Sequence, residues 1–337
     1  MQARITIITP SFNQGRYLEQ NILSVISQQY PDTEHIIIDG SSTDNTKSVL
    51  EKHKNKLAYV VSEPDKGQAD AVNKGFAKAT GEIIGWLNSD DYYAPGALQA
   101  VSKAFSNPTV NVVAGSTIIF DEKGKERKTE PTVTEKKNLN YHLRFPDINQ
   151  PSTFFRRSVM AEFMPLNTGL HYIMDRELWI KYIQQYGTDN TLSIDDVLVY
   201  FRTHSESKST GKRDEFDNEY ATVLRHFALL NNMNDVASLL ESRYTINPSY
   251  TYTFPKYPGK ETTLNMVRNF FLRRGTLVFT PEEFKFAKEA YPILDIKDYR
   301  VIEEEKSGLE RAKSVAGCIN WLHFRTKRKI NHLRGAR

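Results

Sequence analysis

The chain has 337 residues, 39% of them hydrophobic and 26% charged, with 17 glycines and 14 prolines, which excludes a low-complexity or extensively disordered chain and allows a core that needs no covalent staple. Its formal charge of +4 is small for this size, and Cys318, the only cysteine, excludes an intrachain disulfide and any Cys-based zinc or iron–sulfur centre. No apolar run reaches the ~18 residues of a spanning helix, and no secretion-signal pattern precedes the first strand, so a reducing, cytoplasmic setting is expected.

Up to Asn88, short β-branched runs alternate with amphipathic stretches, the pattern of βαβ units around a parallel sheet. Ile5 to Thr9 is the first predicted strand. Leu18, Ile22, Val25 and Ile26 recur at i, i+4, i+7 and i+8 and predict a helix over Arg16 to Gln29. His35 to Ile38 is a second strand, ending at Asp39. Ser41 to Asp44 offers N-caps for a helix carrying Val49 and Leu50; Ala58 to Val61 is a third strand and Glu82 to Leu87 a fourth. Asn88 to Tyr93 then leads to Pro95 and a helix whose Leu98, Val101 and Phe105 share a face, so the acids here sit in a strand-to-helix connection.

Beyond Val110 the pattern changes. Val110 to Ala114 and Ser116 to Phe120 read as two strands and Asp121 to Gly124 as a turn, so mixed or antiparallel pairing is expected. A helix over Asp175 to Gln185 and a strand over Val197 to Arg202 bring the α/β unit to a close near Ser209. From Asp214 onward helical patterns dominate. Asn247 to Gly259, rich in Pro and Tyr, reads as a linker or extended excursion, and Thr280-Pro281-Glu282-Glu283 reads as a capped helix start.

Ligands of parallel α/β sheets bind beyond the carboxyl ends of the strands. Polar groups cluster at four such ends: Thr9 to Asn13, Asp39 to Ser41, Glu63 to Gly67, and Asn88 to Asp91. Any one of these acids is as readily a turn residue or a helix cap. Asn88-Ser89-Asp90-Asp91 carries adjacent carboxylates and an amide oxygen, hard ligands for Mg²⁺ or Mn²⁺ in an incomplete shell that phosphate oxygens can finish. Neither G-x-G-x-x-G after the first strand nor G-x-x-x-x-G-K-[ST] anywhere is present, which leaves a dinucleotide oxidoreductase and a P-loop NTPase without support.

Ile7 to Asn13, Ile38 to Thr46, Lys66-Gly67 with Asn73-Lys74-Gly75, and Asn88 to Asp91 follow one another in the order and at the spacing of a known family. In these motifs the chain resembles the inverting glycosyltransferases called family 2, over roughly residues 4 to 207. The resemblance implies a GT-A fold, with a mostly parallel Rossmann-like sheet flanked by helices. It also implies a nucleotide-sugar donor and inversion at the anomeric carbon. The expected division is a GT-A domain over residues 1–209, with a donor half at 1–115 and an acceptor half at 116–209, and a helical accessory region over 210–337.

Carried over position by position, the resemblance places Thr9, Pro10, Ser11 and Phe12 at the donor and Asp39 on a nucleobase, usually uracil. Lys66, Asp70, Asn88 and Ser89 are expected near the nucleoside or phosphates. Asp90 and Asp91 match the metal-binding end of the family's D-x-D motif, where Asn88 replaces the common first acid; the expected cofactor is Mn²⁺ or Mg²⁺. Gln150, in Asn149 to Arg157, matches the segment leading to the acceptor side, as do Glu177 and Trp179 in Tyr172 to Trp179. Asp175 in that second block corresponds to the catalytic acid, a general base for the attacking hydroxyl, with Met174 where a Glu is common. Arg202 would face the diphosphate, and His204 would be a third metal ligand. Ser205 to Arg213 reads as a lid or a linker.

The implied acceptor is a saccharide or a lipid-linked saccharide. In Ile319 to Leu333, Trp321, Leu322, Phe324 and Ile330 are interspersed with Arg325, Lys327, Arg328 and Lys329. Such a segment suits peripheral contact with the cytoplasmic face of an anionic membrane, or packing on the catalytic domain, while nucleic acid is not expected. Two other classes stay open: a nucleotide-sugar-binding protein of the same fold without turnover, and a nucleotidyltransferase.

Overall fold

The computed structural model describes residues 3–132, 142–143 and 148–274. The helix start expected at Thr280, Cys318 and the basic segment Ile319 to Leu333 lie outside these residues.

The strands are β1 (Ile5–Ser11), β2 (Thr33–Asp39), β3 (Tyr59–Ser62), β4 (Ile83–Trp86), β5 (Tyr92–Tyr93), β6 (Val112–Asp121), β7 (Glu126–Thr129), β8 (Thr153–Arg156) and β9 (Thr191–Thr203). The longer helices of the first half are α1 (Gly15–Ile26), α2 (Thr46–His53), α3 (Gln68–Lys78) and α4 (Ala97–Ala104). Then come the single turn α5 (Arg157–Met160), α6 (Met174–Tyr186), the short α7 (Lys208–Gly211), α8 (Arg213–Leu230), α9 (Asn234–Arg243) and α10 (Lys260–Arg274). One sheet runs in the order β3-β2-β1-β4-β8-β6-β9-β5, with β7 paired to β6. Its first four members are parallel, as the alternating pattern predicts; β8 is antiparallel to β4 and β6, β9 is parallel to β6, and β5 is antiparallel to β9. The sheet is therefore half parallel and half mixed.

Period-two alternation makes the central strands apolar on both faces. Ile8, Ile36, Ile38, Ile84 and Trp86 face one core, with α3, α6 and the C-terminal helices. Ile5, Ile7 and Ile83 face a second, with α4. The first core has no seam at residue 209, since Tyr220, Leu224 and Phe227 of α8, Leu240 of α9 and Met266 of α10 belong to it together with Ile8 and Trp179. The expected linker Asn247 to Gly259 also enters it, through Tyr250 and Tyr252.

The two strands expected over Val110 to Phe120 are one, β6, whose register with β9 shifts on either side of Gly115 and Ser116. A Cβ at Gly115 would lie 2.4 Å from the Leu198 side chain, so this irregular point requires glycine. The turn expected at Asp121 to Gly124 joins β6 to β7, with Asp121 accepting the N–H groups of Lys123 and Lys125 at 2.9 Å each.

Beside the apolar stripe of α1, on its buried side, Asn21 and Ser24, with Gln28 just beyond the helix, hold the connection after β4. Asn21 donates to the carbonyls of Asn88 (2.9 Å) and Asp91 (3.0 Å), and the Ser24 hydroxyl accepts the Tyr93 N–H (3.1 Å). Gln28 donates to the Ala94 carbonyl (2.9 Å) and accepts the Leu98 N–H (3.2 Å). Backbone groups in a buried connection must find partners, and these three side chains supply them. Asn21→Leu removes two of these bonds at nearly constant volume and is expected to cost about 1–3 kcal/mol. A urea-denaturation midpoint equal to wild type would remove this hold from the account.

Candidate active site

The loops after β1 and β2 are knitted together beyond the carboxyl edge of the sheet. The Asn13 N–H donates to Ser42 Oγ (2.7 Å), the Thr43 N–H to Asn13 Oδ1 (2.9 Å) and the Gly15 N–H to Asp44 Oδ2 (2.9 Å). Of the residues expected at the donor, Phe12 is 61% exposed at this edge, and the buried Ser11 hydroxyl has no hydrogen-bond partner among the described residues. Thr9 points inward instead, with its hydroxyl 3.0 Å from His35 Nε2, an imidazole that burial pushes down to about 3 and so keeps neutral.

Asp39 is wholly buried, and its oxygens accept the Ser42 N–H (3.0 Å), the Ser42 hydroxyl and the Ser62 hydroxyl (2.6 Å). That arrangement shapes the loop after β2. Lys66 is exposed. Its backbone N–H donates to Asp70 Oδ2 (3.1 Å), which also lies 3.6 Å from Lys74, so Asp70 serves the first turn of α3.

The connection after β4 separates the roles of its residues. Asn88 Oδ1 accepts from Gln68 Nε2 (2.7 Å) and Trp86 Nε1 (2.9 Å), and Asn88 Nδ2 donates to Gln150 Oε1 (3.4 Å). Gln150 in turn donates to the Trp86 carbonyl. An amide can accept and donate at once where a carboxylate can only accept. Asn88 thus couples α3, β4 and the acceptor half, which accounts for an amide where the family has an acid. Ser89 is buried beside it.

Asp90 Oδ2 lies 3.1 Å from His204 Nε2, beyond the end of β9, with the imidazole packed on the Tyr17 ring at 4.8 Å between centroids. Asp91 points the other way. It is buried, and its Oδ1 accepts the Arg202 N–H (2.9 Å). Burial, followed by the charge of Asp90, holds the Asp91 carboxyl well above the usual carboxylate range against the opposing pull of Arg202. The structure thus brings together Asp90 and His204 of the expected ligand set and keeps Asp91 apart; no group of three His, Cys, Asp or Glu able to hold a metal occurs among the described residues.

Arg202 is also committed elsewhere than expected. Its guanidinium bonds Gln20 (2.6 Å) and the Asp90 carbonyl (3.1 Å), and lies 4.6 Å from the ring centroids of both Tyr17 and Phe120. Held by these rings, it braces β9 against α1.

On the acceptor side, Asp175 opens α6 and lines a hollow with Trp86, Gln150 and Thr153. Glu177 and Trp179 do not reach it. Glu177 is 1% exposed and accepts from Lys181 (2.9 Å) and the Tyr250 hydroxyl (2.6 Å), while Trp179 stacks on Tyr182 at 5.2 Å in the core. Every residue from Glu177 to Ile183 is buried, so α6 is enclosed on all sides just beyond the acid at its open end.

Three participants went unassigned in the sequence. Lys208 of α7 donates to Gln68 Oε1 (3.0 Å) and to the His171 carbonyl (2.8 Å), bridging α3 and the approach to α6. Burial lowers its pKa, and Glu219, Asp175 and Asp90 pull it back up, so its ammonium lies in the field of both candidate acids. His171 packs close to Gly67, where a Cβ would lie 3.2 Å from its Nδ1. Glu219 of α8 accepts the backbone N–H groups of His171, Tyr172 and Ile173 at 2.6, 2.8 and 3.2 Å. Nothing in sequence spacing marks a residue of a later helix as the partner of such a loop.

The profile of glycosyl transferase family 2 matches residues 6–163. An uncharacterized glycosyltransferase of Nostoc sp. is 29% identical over 214 residues, 60% of this chain and 65% of that protein. A Bacillus subtilis protein named for teichuronic acid biosynthesis is 35% identical over 98 residues, 28% of this chain and 39% of that protein. The chain therefore spans less than two thirds of each of these relatives. Among solved structures, residues 1–349 of S. aureus TarS in complex with UDP superpose with a TM-score of 0.56 at 19% identity, covering 90% of this chain and 92% of that one. The curled, half-parallel sheet with flanking helices is the GT-A arrangement, and over residues 6–163 the chain carries the sequence pattern of glycosyl transferase family 2.

Proposed function

We propose that the chain is an inverting glycosyltransferase that moves a sugar from a UDP-linked donor to a hydroxyl of a saccharide or lipid-linked saccharide. The observation that carries this reading is the contact between the connection after β4 and the hollow that Asp175 lines: Asn88, two residues before Asp90, donates to Gln150 (3.4 Å), and Gln150 lines that hollow with Trp86 and Asp175. The solved TarS complexes with UDP and UDP-GlcNAc support a uridine donor, and the relative named for teichuronic acid biosynthesis supports an envelope polysaccharide as the product.

In this reading Asp175 takes the proton of the acceptor hydroxyl as its oxygen attacks the anomeric carbon. The new C–O bond forms on the face opposite the departing diphosphate, which leaves with the electron pair of the old C–O bond. Asp90 and His204 offer one hard oxygen and one imidazole nitrogen, a pair that fits a divalent cation completing its shell with donor oxygens. Mn²⁺ or Mg²⁺ held there would stabilise charge on the leaving diphosphate. The Glu206 N–H faces His204 Nδ1 at 3.3 Å, which turns the Nε2 proton toward Asp90; ligation through Nε2 requires that contact to be given up. Phe12 and the free Ser11 hydroxyl are the proposed base contacts, with Lys66 near the phosphates. No helix among the described residues is long and apolar enough to cross a membrane, and peripheral contact through the basic segment beyond residue 274 is part of the proposal.

UDP with Mn²⁺ or Mg²⁺ is expected to raise Tm, by about 2.7 kcal/mol of stabilisation at a hundredfold excess over Kd, and Asp90→Asn to lose the metal-dependent part. No shift with any nucleoside diphosphate would count heavily against the donor site. Asp175→Asn is expected to keep the UDP-dependent shift and lose transfer by about 10²-fold or more; wild-type transfer would remove Asp175 from the mechanism. Asp91 gives a pH signature. Burial holds its folded pKa above the ordinary carboxylate value, so the folded state binds more protons than the unfolded and stability falls as pH rises above that ordinary value. Asp91→Asn should therefore gain in stability relative to wild type as pH rises above the ordinary carboxylate range, measured by denaturant titration. A pH-independent difference would show that the folded protein does not favour neutral Asp91.

A further inference from the structure

The helices after residue 209 contribute more to the site than core area. The carboxylate of Glu219 receives three successive backbone N–H groups, those of His171, Tyr172 and Ile173, immediately before α6 begins at Met174. The first N–H groups of a helix and of the turn leading into it have no partner within the helix, and an ionised acceptor satisfies them more strongly than a neutral one. Ile173, the N-cap residue of α6, has no side-chain cap, and Glu219 instead holds its N–H and those of the two residues before it, just outside the helix. One turn earlier on α8, Phe216 packs its ring 5.2 Å from Tyr172. From the other side Lys208 holds the His171 carbonyl at 2.8 Å. The run 171–173 is thus fixed at its N–H groups, at one ring and at one carbonyl by residues of the C-terminal region, and Asp175 follows two residues later.

We infer that Glu219 is a positioning residue: it fixes the backbone entering α6 and thereby sets where the Asp175 carboxylate meets the acceptor hydroxyl. The inference rests on the reading of Asp175 as the general base. It assigns to α8 a part in turnover that a merely packed helix would not have. Glu219 touches no reacting atom, and its effect runs through Asp175 alone.

The test compares the full chain with Glu219→Gln, which keeps the shape and replaces one acceptor oxygen by a donor. Hydrogen–deuterium exchange at the amides of 171–173 is expected to be at least about tenfold faster in the variant, with the α3 amides unchanged. For UDP release from UDP-GlcNAc, kcat is expected to fall at least about tenfold while the donor KM stays within about twofold, and Glu219→Gln should cost nothing further in the Asp175→Asn background. Glu219→Asp, which keeps the charge at shorter reach, provides the same comparison if the Gln variant unfolds, with a smaller loss of kcat expected. Unchanged exchange at 171–173 overturns the proposal, as does fast exchange with wild-type kcat or a full additional loss in the Asp175→Asn background. Wild-type UDP release by Asp175→Asn is the separate result that removes the underlying reading of Asp175, whatever Glu219 does to exchange.

Discussion

The grip of α1 on the connection after β4 is the constraint on which the site depends. Leaving β4, the chain must turn from a buried parallel strand toward α4 with its peptide groups enclosed, and Asn21, Ser24 and Gln28 supply the partners those groups need. With the backbone fixed at Asn88, Asp91, Tyr93, Ala94 and Leu98, the two acids between them have little freedom. Asp91 turns inward to the Arg202 N–H, and Asp90 turns outward to His204. Asn88 to Asp91 form a tight turn, closed by the Asp91 N–H donating to the Asn88 carbonyl at 3.1 Å, and the turn sends the two side chains to different partners. It divides the pair into a buried acid and one that faces His204.

From that fixed point the polar contacts spread across both halves of the molecule. Asn88 joins Gln68, Trp86 and Gln150; Gln68 joins Lys208; Lys208 joins His171; and the segment beginning at His171 is held by Glu219. Each link satisfies a group whose other neighbours are already committed, so the mouth of the site is shaped by mutual restriction rather than by one strong bond. Arg202, with its guanidinium between Tyr17 and Phe120, closes the opposite side in the same way.

The C-terminal helices complete this frame. Tyr220, Leu224 and Phe227 share a core with Ile8 and Trp179, and the buried Glu177 carboxylate is satisfied jointly by Lys181 of its own helix and Tyr250 of the Pro- and Tyr-rich segment. Removing one partner of a buried charge leaves the other uncompensated, a loss of about 3–5 kcal/mol. A composition that reads as linker is therefore one of the ties between α6 and the helices beyond it.

The sequence alone determined the strand-helix alternation to Asn88, the parallel pairing of the first four strands, and the motif order that resembles glycosyl transferase family 2, because periodicity and local spacing are properties of neighbouring residues. It also placed Asp90, His204 and Asp175 among the candidates. What it could not determine was which side chains face the same space. Thr9, Asp39, Asp91, Arg202, Glu177 and Trp179 occupy motif positions, yet each is turned to a partner far away in the chain: His35, Ser62, Arg202, Phe120, Tyr250 and, for Trp179, the aromatic core. The single strand β6 was read as two because the break at Gly115 answers to Leu198 on β9. Lys208 and Glu219 were invisible for the same reason: their roles are set by loops that only the packed sheet brings within reach, and long-range contacts leave no period in the sequence.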